Sequence, residues 1–180
     1  MWELQKGERI RQGDILEEIE YSYIVPNKKE LLRETYPYVL VLTQDCDLKQ
    51  DHEAREQKLE NKDKFLESIL LLPAFLKDDF KTGEHLSMLG LNRLDWGNGS
   101  ESLWKNILSN GNKRFHHLKK DQELELPDLI IDFKFFFTMR RDDLEKVYKE
   151  KYLASIKPLY REDLSVRFTH YLSRIGLPTS

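Results

Sequence analysis

Cysteine is almost missing from this chain: Cys46 is the only one in 180 residues. A single thiol excludes an internal disulfide, and an unpaired thiol suits a reducing compartment better than an oxidising one. Long apolar runs are missing too. The longest, within SILLLPAFL, is far short of the roughly 20 residues that a membrane-crossing helix needs. The opening MWELQKGERIRQ lacks the apolar stretch of a signal peptide, so a cytoplasmic location with no membrane partner is expected. Neither sign of charge dominates, with Lys+Arg 29 against Asp+Glu 32 and a net charge of -3. That near-balance removes any global field toward nucleic acid or anionic membrane, so a nucleic-acid role has to rest on a local patch. Repeats and low-complexity tracts are absent. What remains is 39% hydrophobic and 34% charged residues, over a length that buries one genuine core. A single domain over 1–180 is expected.

Hydrophobic spacing divides the chain into strands and helices. After the turn signal Gly13-Asp14, residues Ile15, Ile19, Tyr21, Tyr23 and Val25 share odd positions, the period of a strand. NKKELLRETYP reads as a charged connection ended by Pro37, and YVLVLTQ as a strand buried on both faces. Residues 49–67, KQDHEAREQKLENKDKFLE, contain neither Gly nor Pro and read as a solvated helix or a loop, with partner binding as the functional alternative. SILLLPAF is a third strand, stopped by Pro73. LKDDFKTGEHLSML predicts a short helix, and another lies between Gly97-Asn98-Gly99 and Asn110-Gly111-Asn112, capped by Ser100.

RFHHLKK and LPDLIIDFKFFFTM read as paired strands joined by DQELE. Period two places Leu129, Ile131, Phe133, Phe135, Phe137 and Met139 on one core face. RRDDLEKVYKE is helical and KYLASI a last short strand. Leu164, Phe168, Tyr171, Leu172 and Ile175 then mark one face of a helix, with Pro158 before it, Gly176 as C-cap and Pro178 beyond. The sum is an α+β fold: a curved, mostly antiparallel sheet or SH3-like barrel over about 10–156, with inserted helices and a C-terminal amphipathic helix over about 158–176.

Three constellations could carry chemistry. In VLVLTQDCDLKQ, a strand running through Gln44 would turn Cys46 toward Leu40 and Leu42 as a small buried hydrophobe, with Asp45 and Asp47 on the other side. As a nucleophile, Cys46 would need His116 or His117 brought in by the fold, and its carboxylate neighbours oppose the thiolate. Zinc ligation is disfavoured because His52, His85, His116, His117 and His170 lack paired spacing with it. In LPDLIIDFK, Asp128, Asp132 and Lys134 share the even-numbered strand face. Metal-dependent nucleases of the PD-(D/E)xK kind use such a set to hold a divalent cation and activate water, and Asp45 and Asp47 could join it. The structural alternative is a half-solvated sheet face on which Asp and Lys pair. On the C-terminal helix, Asp163, Arg167, His170 and Arg174 form a polar stripe, with Arg161 near its start, suited to a phosphate or an acidic partner surface or simply to water. Arg140-Arg141 is a comparable basic spot.

Two stretches carry a resemblance. VLTQDCDL resembles the (V/L)-(S/T)-Q-x-C-D-(L/I) segment, and PLYREDLSVRFTHYLSRIGLP the P-x-R-E-x-L-x-x-R-F…R-x-G-L-P ending, of a poorly characterised bacterial family. RFHHL followed by LPDLIIDF fits that family's middle, so the resemblance spans most of residues 10–178. GDILEEI followed by YPYVLVLTQDCD is also similar to the opening of the PemK/MazF toxin barrels, over the first quarter of the chain. That likeness implies an SH3-like barrel. The arginine that activates those toxins has no counterpart here, where Asp45, Cys46 and Asp47 stand in its place.

No complete catalytic set emerges, and no cofactor is expected. The leading expectation is a cytosolic bacterial interaction or regulatory module with a protein partner, associated with a defence or toxin-antitoxin-like system. Its candidate contacts are the charged 49–67 segment and Arg167, His170 and Arg174. The alternative is an enzyme acting on RNA or DNA, using Asp45, Asp47, Asp128, Asp132 and Lys134 around a divalent cation, or Cys46 with a histidine. A third reading is a small-ligand sensor with its pocket in the barrel mouth.

Overall fold

The computed structural model of the chain describes residues 1–5, 9–25, 30–60, 62–92 and 101–173. The expected cap Ser100, the stripe residue Arg174, and the helix-end residues Ile175, Gly176 and Pro178 lie outside them. The frame is one antiparallel sheet of eight strands: β1 (Trp2–Glu3), β2 (Asp14–Val25), β3 (Glu30–Val41), β4 (Ser68–Leu76), β5 (Phe115–Leu118), β6 (Leu129–Asp132), β7 (Phe137–Arg140) and β8 (Tyr152–Ile156). Their spatial order is β1-β8-β2-β3-β4-β6-β5, with β7 also paired to β4. Six helices are interspersed among the described residues: α1 (Asp45–Glu56), α2 (Lys77–Thr82), α3 (Glu84–Met88), α4 (Glu101–Leu108), α5 (Arg141–Lys151) and α6 (Pro158–Leu172). The fold is the expected α+β class, a curled antiparallel half-barrel with a C-terminal helix. Trp2, on one edge strand, donates its indole N–H to the carbonyl of Lys119, just past the other edge strand, at 2.7 Å. The curl thus brings the two edges of the sheet together along a seam.

β2 and β3 form a long hairpin, in register from Ile15 opposite Leu40 to Val25 opposite Glu30. The charged ELLRETY, predicted as a connection, is the first half of β3. Pairing with β2 satisfies its backbone while its charges stay in water, where Arg33 meets Glu20 across the hairpin at 3.4 Å. Simple alternation fails at one rung. Glu18 has a φ of 50° and stands between the pairs that flank Pro37, a residue with no N–H to complete the rung. Ile15 and Leu40 therefore enter one core, while Ile19 and Tyr36 enter the other.

Pro73 does not stop its strand; it lies inside β4, opposite Val39. The amide of Leu42 bonds to the carbonyl of Leu70, so even-numbered residues of β4 face β3 and odd-numbered ones face the other flank. On that flank β7 pairs as far as Leu71 and β6 takes over at Ala74. Proline's missing donor falls in the gap between them, where no ladder bond is lost. The same gap corrects the period-two expectation for residues 129–139. Leu129, Ile131 and Phe133 do share a core, but a 3₁₀ turn at Phe133–Phe135 breaks the strand, and Phe137 and Met139 pack on the opposite face.

Helices cover both faces, which explains the uninterrupted apolar runs of the central strands. On one face Leu40, Leu72, Ile131 and Phe133 lie under Leu164 and Phe168 of α6. On the other, Val39, Val41 and Leu71 lie under Leu48 of α1 and Leu144 and Tyr148 of α5. Phe80 and Ile107, from α2 and α4, pack with Phe75, Phe115 and Ile130. Pro158 is the first residue of α6, where its missing N–H costs nothing, instead of preceding the helix. Leu172, one position round from the half-buried Tyr171, misses the core and is 54% exposed.

Asp14 is fully buried where β2, α5 and β8 meet. Its carboxylate accepts hydrogen bonds from the Tyr148 hydroxyl at 2.7 Å, the Arg11 amide at 2.6 Å and the Ser155 hydroxyl. Burial pushes its pKa up to about 6 in spite of these donors. The native protein then holds a proton that the unfolded chain has already lost, so this site stabilises the fold as pH falls from about 6 toward 3.8, by about 3 kcal/mol in all. Urea denaturation across that window is expected to show this gain in the wild type relative to Asp14→Asn, which cannot titrate. Parallel profiles would show that Asp14 is not the group responsible.

Candidate functional site

The acidic-cysteine motif in VLVLTQDCDLKQ is the start of a helix, not the end of a strand. β3 stops at Val41 and α1 begins at Asp45. Asp45 and Asp47 occupy the first turn, where carboxylates complement the positive helix end. Cys46 is exposed, contrary to the buried position that strand geometry predicts, and its Sγ lies 3.6 Å from the Gln44 side chain and 3.5 Å from that of Asp47. The turn at Thr43 and Gln44 rotates it away from Leu40 and Leu42. Asp45 takes a two-pronged ion pair from Arg9, at 3.1 and 2.9 Å, and the Gln12 amide at 3.4 Å. Partial burial raises its pKa, but Arg9, Arg161 and the Gln12 amide outweigh that and hold it below its ordinary value.

The LPDLIIDFK acids part company. Asp132 is 1% exposed, and its carboxylate accepts from Arg114 Nε at 2.8 Å and from the backbone amide of Lys134 at 3.0 Å, capping the 3₁₀ turn. The Lys134 ammonium swings away, 5.8 Å over the Phe135 ring. Asp and Lys therefore do not pair along a half-solvated face; the 3₁₀ turn sends them apart. Asp128 instead binds Lys77 at 2.8 Å, His117 Nε2 at 2.9 Å and the Lys120 amide at 3.1 Å. Desolvation raises its pKa, but Lys77 and His117 more than reverse this and hold it well below the usual carboxylate range. Asp45, Asp47, Asp128 and Asp132 thus occupy three separate settings, each with its own partners. No group of three or more His, Cys, Asp or Glu among the described residues is arranged to hold a metal ion.

The helix stripe is also divided. Arg167 donates to the carbonyls of Asn110, Asn112 at 2.7 Å and Phe115 at 2.9 Å, tying α6 to the turn between α4 and β5. It acts as a structural tie, while His170 remains exposed. Arg161 bonds to the Gln12 carbonyl at 3.2 Å. Arg141, of the Arg140-Arg141 spot, donates to Asp51 at 2.9 Å.

Sequence reasoning missed two features. Asp51, 2% exposed in the middle of the charged segment, accepts from Arg55 at 2.8 Å, Arg141 and the Leu66 amide at 2.8 Å, and so ties α1 to α5. Its only signal is the i,i+4 spacing to Arg55, which surface pairs share. The second is a cleft of about 480 Å³ at the sheet seam. Its lining includes Trp2 from β1, His116 and His117 from β5, Lys119 and Lys120 beyond it, and Tyr160 and Asp163 from α6. His117 there is held at both ring nitrogens, by the Leu108 carbonyl at 3.0 Å and by Asp128. His116 is 4% exposed, and its Nδ1 is buried with no hydrogen-bond partner among the described residues. Burial, with Arg167 and His117 nearby, pulls its pKa down to about 3, which keeps the ring neutral near pH 7.

Set against protein-family models, curated proteins and solved structures, the chain matches none.

The ion pairs make a prediction that separates scaffold from catalyst. Asp132→Ala removes the cap of the 3₁₀ turn and leaves the part-exposed Arg114 without its partner, and is expected to cost roughly 1–3 kcal/mol of stability in denaturant titration. Lys134→Ala and Cys46→Ser, both at exposed positions, should each stay within about 0.5 kcal/mol of wild type. An Asp132→Ala protein as stable as wild type would contradict the structural role.

Proposed function

We propose that this chain is a cytosolic bacterial interaction or regulatory module that engages a protein partner, in keeping with its resemblance to the poorly characterised bacterial family and a defence or toxin-antitoxin-like setting. The observation that carries the reading is the outer part of the β2–β3 hairpin. β8 pairs with β2 only as far as Leu16, and β4 pairs with β3 only from Tyr38 onward. Beyond those limits, among the described residues, the two strands pair only with each other, leaving a projecting ribbon with two free edges.

An isolated two-stranded ribbon is marginally stable in water. This one nevertheless exposes Ile24 at 66%, Leu31 at 57% and Leu32 at 40%. Its base is buttressed, since Tyr36 stacks on Phe137 and Tyr21 lies tilted against it, at 4.7 and 4.9 Å between ring centres. Glu17, Glu18, Glu20, Glu30 and Glu34 outnumber Arg33 among its described charged residues. An acidic ribbon with apolar patches suits a partner that offers an apolar groove rimmed by Lys or Arg. The nuclease alternative draws no support from the acidic residues, which sit apart in separate ion pairs and caps.

The test is affinity capture from the host's lysate, comparing wild type with Ile24→Lys/Leu31→Lys/Leu32→Lys. A stoichiometric partner is expected with wild type and at least tenfold less with the variant, whose thermal midpoint should stay within about 3 °C. Equal capture by both proteins, or no stoichiometric complex with either, would overturn the proposal.

A further inference from the structure

The seam cleft has no part in the ribbon reading. It nevertheless has the traits of a built ligand site: concave, between elements, of about 480 Å³, and lined by both apolar and polar groups. Its volume suits a small organic molecule of mononucleotide size. The lining chemistry narrows the class. His116 is almost fully buried, and its Nδ1 is without a partner among the described residues. That nitrogen is sealed from solvent, so what the ring offers a nucleobase in the cleft is contact surface and its other nitrogen. The half-exposed Tyr160 supplies aromatic surface, while Trp2, also in the lining, is almost fully buried. Exposed Lys119 and Lys120 place two cations on one wall, beside the start of α6, which has no acidic residue in its first turn and no side-chain cap. Asp163, also exposed, places a carboxylate on the α6 wall, an acceptor for sugar hydroxyls.

We infer that the seam cleft binds a nucleoside monophosphate, with the base against His116 and Tyr160, the ribose toward Asp163 and the phosphate at Lys119 and Lys120. Each ligand part then meets the group whose chemistry fits it. The phosphate is held by ammonium groups, the hydroxyls by a carboxylate, and the base by the aromatic face of Tyr160 and the neutral ring of His116. The low pKa of His116, about 3, keeps that ring uncharged throughout the physiological range.

Isothermal titration calorimetry of the full chain with AMP, GMP, CMP and UMP, with adenosine, and with inorganic phosphate tests the inference. Saturable 1:1 binding of at least one monophosphate is expected, with a Kd below about 1 mM. Lys119→Glu/Lys120→Glu should weaken it at least tenfold and leave adenosine binding unchanged. Asp163→Asn should weaken nucleotide and nucleoside alike. His116→Phe should do the same, and its thermal midpoint should not fall, because the buried nitrogen it removes has no partner. The ribbon variant Ile24→Lys/Leu31→Lys/Leu32→Lys should bind nucleotide as wild type does, so failure of either idea is read apart from the other. Absence of binding by all four monophosphates, competition by inorganic phosphate at equal concentration, or wild-type affinity in the lysine variant would each overturn the assignment.

Discussion

β4 is the constraint on which the rest of the structure depends. Along one edge it pairs continuously with β3; along the other it serves two strands in turn, β7 and then β6. The handover falls at Pro73, the residue that cannot donate to either. A chain that pairs twice with one strand must leave it and return, and the 3₁₀ turn at Phe133–Phe135 is that detour. Asp132 caps the turn and Arg114 holds the cap. The side chains most like a nuclease motif are therefore the fastening of a bend. A carboxylate buried to 1% with a guanidinium partner is already satisfied.

The other acidic positions follow the same logic. Asp14 joins β2 to α5 and β8, Asp45 binds the N-terminal segment at Arg9, and Asp51 ties α1 to α5. Asp128 collects Lys77, His117 and the Lys120 amide. These contacts link segments far apart in the chain, as a sheet with many crossover connections requires. Among the described residues, the apolar ribbon of β2–β3 and the seam cleft, with its unpartnered His116 nitrogen, stand outside this economy of mutual satisfaction. The ribbon projects where its neighbours stop pairing. The cleft exists because a half-barrel is joined at its edges by a side-chain bond from Trp2 rather than by a complete ladder.

Much of the frame was legible beforehand. Gly13 marked a turn, and its φ of 87° explains why glycine stands there, since a side chain would be strained and would crowd Arg161. The apolar runs of β3, β4 and β6 are buried on both faces, and Leu164 and Phe168 of α6 meet the core as their spacing required. Errors gathered where local pattern competes with pairing. ELLRETY carries a helix-like composition, yet β2 lies alongside it. VLVLTQDCDL carries a strand period that stops at Val41 because a helix starts there, and this reversed the expectation for Cys46.

The order of amino acids alone determined the fold class, much of the apolar core and the presence of the final helix, because burial writes a period into each element that can be read without knowing its neighbours. Tertiary structure alone decided which charged groups meet. Arg114 and Asp132, Asp51 and Arg141, and His117 and Asp128 are separated along the chain by 18, 90 and 11 residues, and no local spacing encodes such pairs. Their meeting turned suspected catalytic acids into ties of the scaffold, and left the buried His116 Nδ1 at the seam without a partner among the described residues.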